Sequence, residues 1–111
     1  MYNLFKKKMD RIDILKDFLK DSPTDSFLQH ALALEYVKIG NDGSARALFE
    51  DILKRDPAYI GSYYHLAKLL ERTGEPEEAM RVYVTGMAAC KKAGDNHAYN
   101  ELQAAYEDIV D

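Results

Sequence analysis

Residues 26–59 read SFLQHALALEYVKIGNDGSARALFEDILKRDPAY, and residues 60–93 read IGSYYHLAKLLERTGEPEEAMRVYVTGMAACKKA. Shifted by 34 residues, the second stretch lays Leu66 on Leu32, Ala67 on Ala33, Gly74 on Gly40, Ala79 on Ala45 and Tyr83 on Phe49, while Pro57 falls on Pro23 just upstream. A fixed period of this kind marks a repeated supersecondary unit. Proline and glycine end helices for backbone reasons, and the other matched residues are apolar at positions that a packed repeat needs.

Each period resolves into two amphipathic helices. In the first, Phe27, Leu28, Ala31, Leu32, Leu34 and Tyr36 keep close to a helical rhythm until Gly40. Glycine there can take a left-handed conformation, and Asn41 and Asp42 carry side-chain oxygens able to cap a second helix with Ala45, Leu48, Phe49, Ile52 and Leu53 on its apolar face. Asp56-Pro57 closes that helix. The second period repeats the device with Tyr63, Leu66, Ala67, Leu69 and Leu70, then Thr73-Gly74-Glu75. Pro76 suits a first helical position, and Glu77 and Glu78 suit the positive end of the helix it opens.

With Leu32-Ala33, Tyr36, Gly40, Ala45, Phe49 and Pro57 in one period, and Tyr63, Leu66-Ala67, Leu70, Gly74, Ala79 and Tyr83 in the next, the chain resembles the tetratricopeptide repeat family. Two positions depart from its pattern. Gln29 stands where a large residue is usual, and Lys91 replaces the second closing proline, so the helix after Pro76 is expected to run to about Lys92 before Gly94 stops it. The resemblance implies an all-α fold, a right-handed superhelical stack of antiparallel helix–turn–helix repeats forming a fragment of an α-solenoid. It also implies a non-catalytic role in holding another protein.

The flanks extend the pattern. Leu15, Phe18 and Leu19 match Phe49, Ile52 and Leu53 at the same spacing, so Asp10 to Lys20 reads as the second half of an earlier repeat. Beyond Gly94 the register slips by two, and Tyr99, Leu102 and Tyr106 match Tyr63, Leu66 and Leu70 at a spacing of 36. Residues 1–9 are expected to form a poorly ordered extension. Residues 10–110 then make one domain: a leading helix over 10–22, repeats over 24–57 and 58–93, and a C-terminal capping helix over 95–110, since terminal units must hide a face that a neighbour would otherwise bury.

Stacking through Ala33, Ala45, Ala67 and Ala79, with Tyr36, Phe49, Tyr63 and Tyr83 filling the gaps, leaves the first helices of successive repeats lining a concave groove. Residues of those helices off the core stripe are the candidate partner-binding set: His30, Leu34 and Val37 from the first repeat, and Tyr64, His65, Lys68 and Arg72 from the second. An apolar strip beside basic groups suits a peptide or helix with one apolar anchor and a nearby acidic group. Family members that grip a chaperone's C-terminal carboxylate need lysine, asparagine and arginine at set groove positions. Here those positions hold His30, Leu34, His65, Ala98 and Glu101; Leu34 cannot donate a hydrogen bond and Glu101 repels an anion.

Other chemistries find little footing. A net charge of −4 and a pI near 5.3 disfavour a nucleic-acid partner. The apolar stretches are far shorter than the roughly 20 residues of a membrane-spanning helix. His30, His65 and His97 have no local metal-ligand spacing, so no metal or other cofactor is assigned. No phosphate loop or nucleophile elbow is present, which argues against an enzyme. The single Cys90 reads as a packing residue and fits a reducing, cytoplasmic setting. The alternative to groove binding is a homodimer formed through the leading helix, where Ile12, Leu15, Phe18 and Leu19 could leave an apolar edge.

Overall fold

In a computed structural model that describes residues 10–110, the chain forms six helices: α1 (Arg11–Asp21), α2 (Ser26–Lys38), α3 (Asp42–Arg55), α4 (Gly61–Arg72), α5 (Pro76–Ala93) and α6 (Asn96–Val110). The N-terminal extension expected over residues 1–9 lies outside the described residues. Each helix packs chiefly on the next in sequence, so the layers follow chain order. The outcome is elongated, 58 × 28 × 21 Å, with a radius of gyration of 15.7 Å. A compact domain of this length would have a radius near about 13 Å, and the excess is what stacking in one direction produces.

Local signals set the boundaries. The carboxylates of Asp10 and Asp25 and the Asn41 side chain accept hydrogen bonds from the first-turn amides of α1, α2 and α3. Pro76 opens α5, with Glu77 and Glu78 in its first turn. Gly40 and Gly94 end their helices the same way. Each has a positive φ, 81° and 73°, and the following amide donates back across the turn, from Asn41 to the Tyr36 carbonyl and from Asp95 to that of Cys90. The first such stop ends a first-type helix, α2, the opening helix of a repeat, and the second ends a second-type helix, α5, the closing helix of a repeat. Without the proline that follows α3, α5 runs 18 residues to Ala93 before Gly94 turns the chain.

The core is one continuous strip through α2 to α6. Ala33, Ala45, Ala67 and Ala79 are wholly buried, and Phe49, Tyr63 and Tyr83 fill the space between the helices they let together. Tyr36 stays half-buried at the edge of the cluster. Gln29 is buried and answers its burial with hydrogen bonds: its amide donates to Asp51 Oδ2 at 3.0 Å and its carbonyl oxygen accepts from Arg55. A polar bridge between α2 and α3 thus stands where the repeat pattern favours a large side chain. That same bond holds the Asp51 carboxyl below its ordinary pKa.

Gly86, in the middle of α5, marks the tightest approach. A Cβ there would lie 2.8 Å from both Cβ and Cγ of Tyr63 on α4 and 3.0 Å from Leu102 Cδ1 on α6. Alanine normally stabilises a helix interior over glycine by about 1 kcal/mol. Here Gly86→Ala is expected to do the reverse, lowering stability by about 1–3 kcal/mol, because the Tyr63 stem cannot swing aside. Urea unfolding of the two proteins measures the difference, and a stabilised variant would show that the three helices can move apart.

Candidate partner-binding groove

The first-type helices α2, α4 and α6 carry the candidate groove. The structure sorts the seven sequence-assigned residues into three pairs and a lone Arg72, with Tyr64 edge-on to His65 at 5.7 Å linking two of the pairs. His30 and His65 come together between α2 and α4, with ring centroids 5.4 Å apart. Tyr64 and Lys68 form a second group: the Lys68 ammonium lies 5.9 Å from the Tyr64 ring centroid, within cation–π range, and 3.6 Å from Glu71. Leu34 and Val37 are half-buried and lean on the core from α2. Arg72 lies apart from all of these, because its guanidinium pairs with Asp42 at the start of α3.

The two histidines lie at the joint between the repeats, and His65 also lines a cleft beside it. His30 Nδ1 and the hydroxyl of the buried Ser62 share a 2.8 Å hydrogen bond that ties α2 to α4. Phe49 of α3 lies edge-on to His30 at 5.6 Å and stacks on His65 at 6.2 Å, and Tyr59 of the α3–α4 turn closes the cluster. Burial, reinforced by the neighbouring His65, lowers the His30 pKa to about 4. His65 is shifted in the same direction by burial. Neutral imidazoles are therefore the form that the joint between the two repeats is built around.

Beside this joint, Ile60, Gly61, Tyr64 and His65 of the second repeat and Ala98, Glu101 and Leu102 of α6 line an open cleft of about 280 Å³. Tyr64 remains 37% exposed on its rim. Ile60, Ala98 and Leu102 supply its apolar lining, Tyr64, His65 and Glu101 its polar side, and Lys68 lies one helical turn beyond Tyr64 along α4. Glu71 is turned away from it, accepting a hydrogen bond from the Tyr83 hydroxyl. A larger cleft of about 440 Å³ lies between the α3–α4 turn and the last turns of α5, lined by Pro57, Ala58, Tyr63, Thr85 and a run of alanines, with no residue from α2 or α6.

Among the described residues no cluster of histidine, cysteine and carboxylate side chains could hold a metal ion. Cys90 is buried in the core, where desolvation raises its pKa and Asp95 adds to the shift, so the thiol is held away from reactive thiolate chemistry. No helix among the described residues is long and apolar enough to cross a membrane.

The tetratricopeptide repeat family model matches residues 40–106, more than half of the chain. The chain belongs to the tetratricopeptide repeat family. Its fold is similar to the solution structure of a tetratricopeptide repeat domain protein from Salinibacter ruber, with 39% identity, a TM-score of 0.76, and coverage of 78% of this chain and 88% of that one. It also resembles the solution structure of a protein from Bordetella parapertussis, at 22% identity and a TM-score of 0.80 over 92% of this chain and 89% of the other. The crystal structure of MamA shares the fold at 17% identity and a TM-score of 0.64, over 89% of this chain and 64% of that one. No curated protein is similar enough to this chain to match it. The tetratricopeptide repeat is in general a non-catalytic protein-interaction fold, and protein partners are the class that this membership implies.

Sequence reasoning picked His30 and His65 by helical position but missed Ser62 and Tyr59, which meet them only across the repeat boundary. Arg72, a groove cation by helical position, pairs instead with Asp42, 30 residues away in sequence. The histidine cluster has a measurable consequence. An unfolded histidine titrates near its ordinary 6.5, whereas His30 in the fold titrates near 4, so acid favours the unfolded chain. The His30 contribution is complete above pH 6.5, falls as the pH drops from there toward 4, and changes no further below. Thermal unfolding is expected to shift down by a few degrees between pH 7 and pH 5, with a smaller shift in His30→Gln. An identical shift in both proteins would remove His30 as the cause.

Proposed function

We propose that the chain is a non-enzymatic interaction module that binds a peptide or helix of a partner protein along α2, α4 and α6. The observation that carries this reading is the cleft between α4 and α6, which the exposed Tyr64 lines together with Ile60, Ala98 and Leu102. An apolar anchor seated there would lose water against Ile60, Ala98 and Leu102, the arrangement that concentrates binding energy in a few side chains. Lys68 would meet an acidic group beside the anchor, and Glu101 would favour a basic group at the α6 end, so the cleft would fix the direction of the bound segment. Both cations already face a carboxylate, Lys68 with Glu71 at 3.6 Å and Arg72 with Asp42 at 2.5 Å, and the longer Lys68 contact is the easier to displace, so Arg72 contributes less.

A second reading, self-association through the terminal helix, is supported by the 57% exposure of Phe18 and the 41% exposure of Ile14 on α1. Ile14 joins the edge expected from Ile12, Leu15, Phe18 and Leu19, and Leu15 leaves it, being buried beneath the helix.

The groove reading is tested with peptides selected on the protein from a random-sequence display library. Tyr64→Ala combined with Lys68→Glu is expected to weaken the selected peptides at least about tenfold, equivalent to 1.4 kcal/mol, with helicity unchanged in circular dichroism. Arg72→Ala alone is expected to change little. Undiminished binding by the double variant, with its fold intact, would put the site elsewhere.

A further inference from the structure

The free polar groups of the cleft between α4 and α6 can all accept a hydrogen bond. Glu101 has one charged neighbour among the described residues, the exposed His97, and at 3.7 Å that contact is longer than a hydrogen bond. The Tyr64 hydroxyl and the His65 imidazole make no side-chain hydrogen bond among the described residues. No buried side-chain nitrogen or oxygen lacks a partner there, so the His65 nitrogens reach solvent, as does the exposed Tyr64. Burial holds His65 below its ordinary pKa, which keeps a lone pair on the ring at neutral pH. A carboxylate, a neutral imidazole and a phenol oxygen thus border one cavity. Its volume limits what can enter. At about 280 Å³ it is smaller than one turn of helix about 10 Å across, which occupies roughly 400 Å³, so it admits a single side chain and leaves the backbone of a bound segment outside.

We infer that this side chain is an arginine of the partner, its methylene stem lying along Ile60, Ala98 and Leu102 and its guanidinium received by Glu101, with His65 and Tyr64 beside it. The inference rests on the groove reading and names the residue that reading leaves open: the apolar anchor and the basic group are one side chain. A guanidinium offers a fork of N–H donors and no acceptor, the complement of a site whose free groups accept. It is more weakly hydrated than an ammonium, so it gives up water to a partly apolar cleft at lower cost than lysine does. An acidic anchor would face Glu101, and a purely apolar one would cover the carboxylate without pairing it. Lys68 does not reverse this balance, since it lies a turn further along α4 with its ammonium already 3.6 Å from Glu71.

The chain contains the same match made internally. In the first repeat the Arg55 guanidinium donates to the Asp51 carboxylate, to the Gln29 side-chain oxygen and to the Thr24 backbone carbonyl, so one arginine answers a carboxylate and two neutral acceptors together. Between α4 and α6 a carboxylate and two neutral acceptors stand together again, and no lysine or arginine among the described residues pairs with Glu101. The partner supplies the missing guanidinium, and the charge of Glu101 selects it over any anion.

Peptides selected on the full chain from a random-sequence display library, with affinities then measured for one of them, test this. Arginine is expected to be enriched at one position of the selected pool. Replacing it with alanine, or with citrulline, an uncharged analogue of the same shape, weakens binding at least about tenfold, and lysine falls between. Glu101 is exposed, so its variants are expected to keep the helicity of the unmodified chain. On Glu101→Gln the arginine peptide loses a similar factor, and exchanging its arginine for citrulline then costs nothing further. Selection on Glu101→Lys enriches aspartate and glutamate at that position instead. If Tyr64→Ala with Lys68→Glu weakens the selected peptides but the pool shows no preference for arginine, or the citrulline exchange costs as much on Glu101→Gln as on the unmodified chain, the inference is overturned and the groove reading stands. If no peptide is selected, or binding ignores the Tyr64 and Lys68 substitutions, the groove reading falls and the inference falls with it.

Discussion

Everything in this molecule depends on how closely neighbouring helices approach. A single helical hairpin of about thirty residues cannot bury its own apolar stripe, so each depends on the next for its core. That exchange works only where backbones come near enough for Phe49, Tyr63 and Tyr83 to be enclosed on all sides. Ala33, Ala45, Ala67 and Ala79 permit it along the stack, and Gly86 permits it where α4, α5 and α6 converge. Aromatic bulk and small crossing residues are therefore two sides of one constraint: enlarging the small ones would push the large ones toward water.

The same constraint positions the candidate site. In the proposed reading, α2, α4 and α6, spaced by the helices packed behind them, present their outward residues on one side of the stack. His30, Ser62 and His65 occupy the joint between the first two of these helices, and Tyr64, Ala98 and Glu101 border the cleft between the last two. The joint built of neutral imidazoles shares His65 with this cleft, so charging His30 is expected to disturb the α2–α4 contact beside it.

Much of the fold could be read before any coordinates. Glycine and proline spacing located the turns because Gly40 and Gly94 act through their own backbone, needing no distant partner. The alanine and aromatic positions were equally readable, since the repeat itself reports which residues recur. What stayed hidden was pairwise and long-range. The Gln29–Asp51–Arg55 bridge, the His30–Ser62 bond and the Arg72–Asp42 pair each join residues more than twenty positions apart, and no periodicity distinguishes a charged residue that faces solvent from one that has found a partner. For the same reason the Arg72–Asp42 pair is hidden in the sequence, whereas Lys68 and Glu71 pair within one helix turn. Ile14 escaped notice because the repeat match ran through Leu15 and Phe18, leaving its exposure visible only once α1 had packed.

The central claim is that the cleft between α4 and α6 is the working surface. The most direct measurement is residue-by-residue amide mapping by nuclear magnetic resonance, titrating the isotope-labelled chain with a peptide selected on it from a random-sequence library. The account predicts that the largest changes fall on Ile60, Tyr64, His65, Ala98 and Glu101, with smaller ones at Lys68. Changes confined to Pro57, Ala58, Thr85 and Ala88, around the cleft on the α5 side, would contradict it.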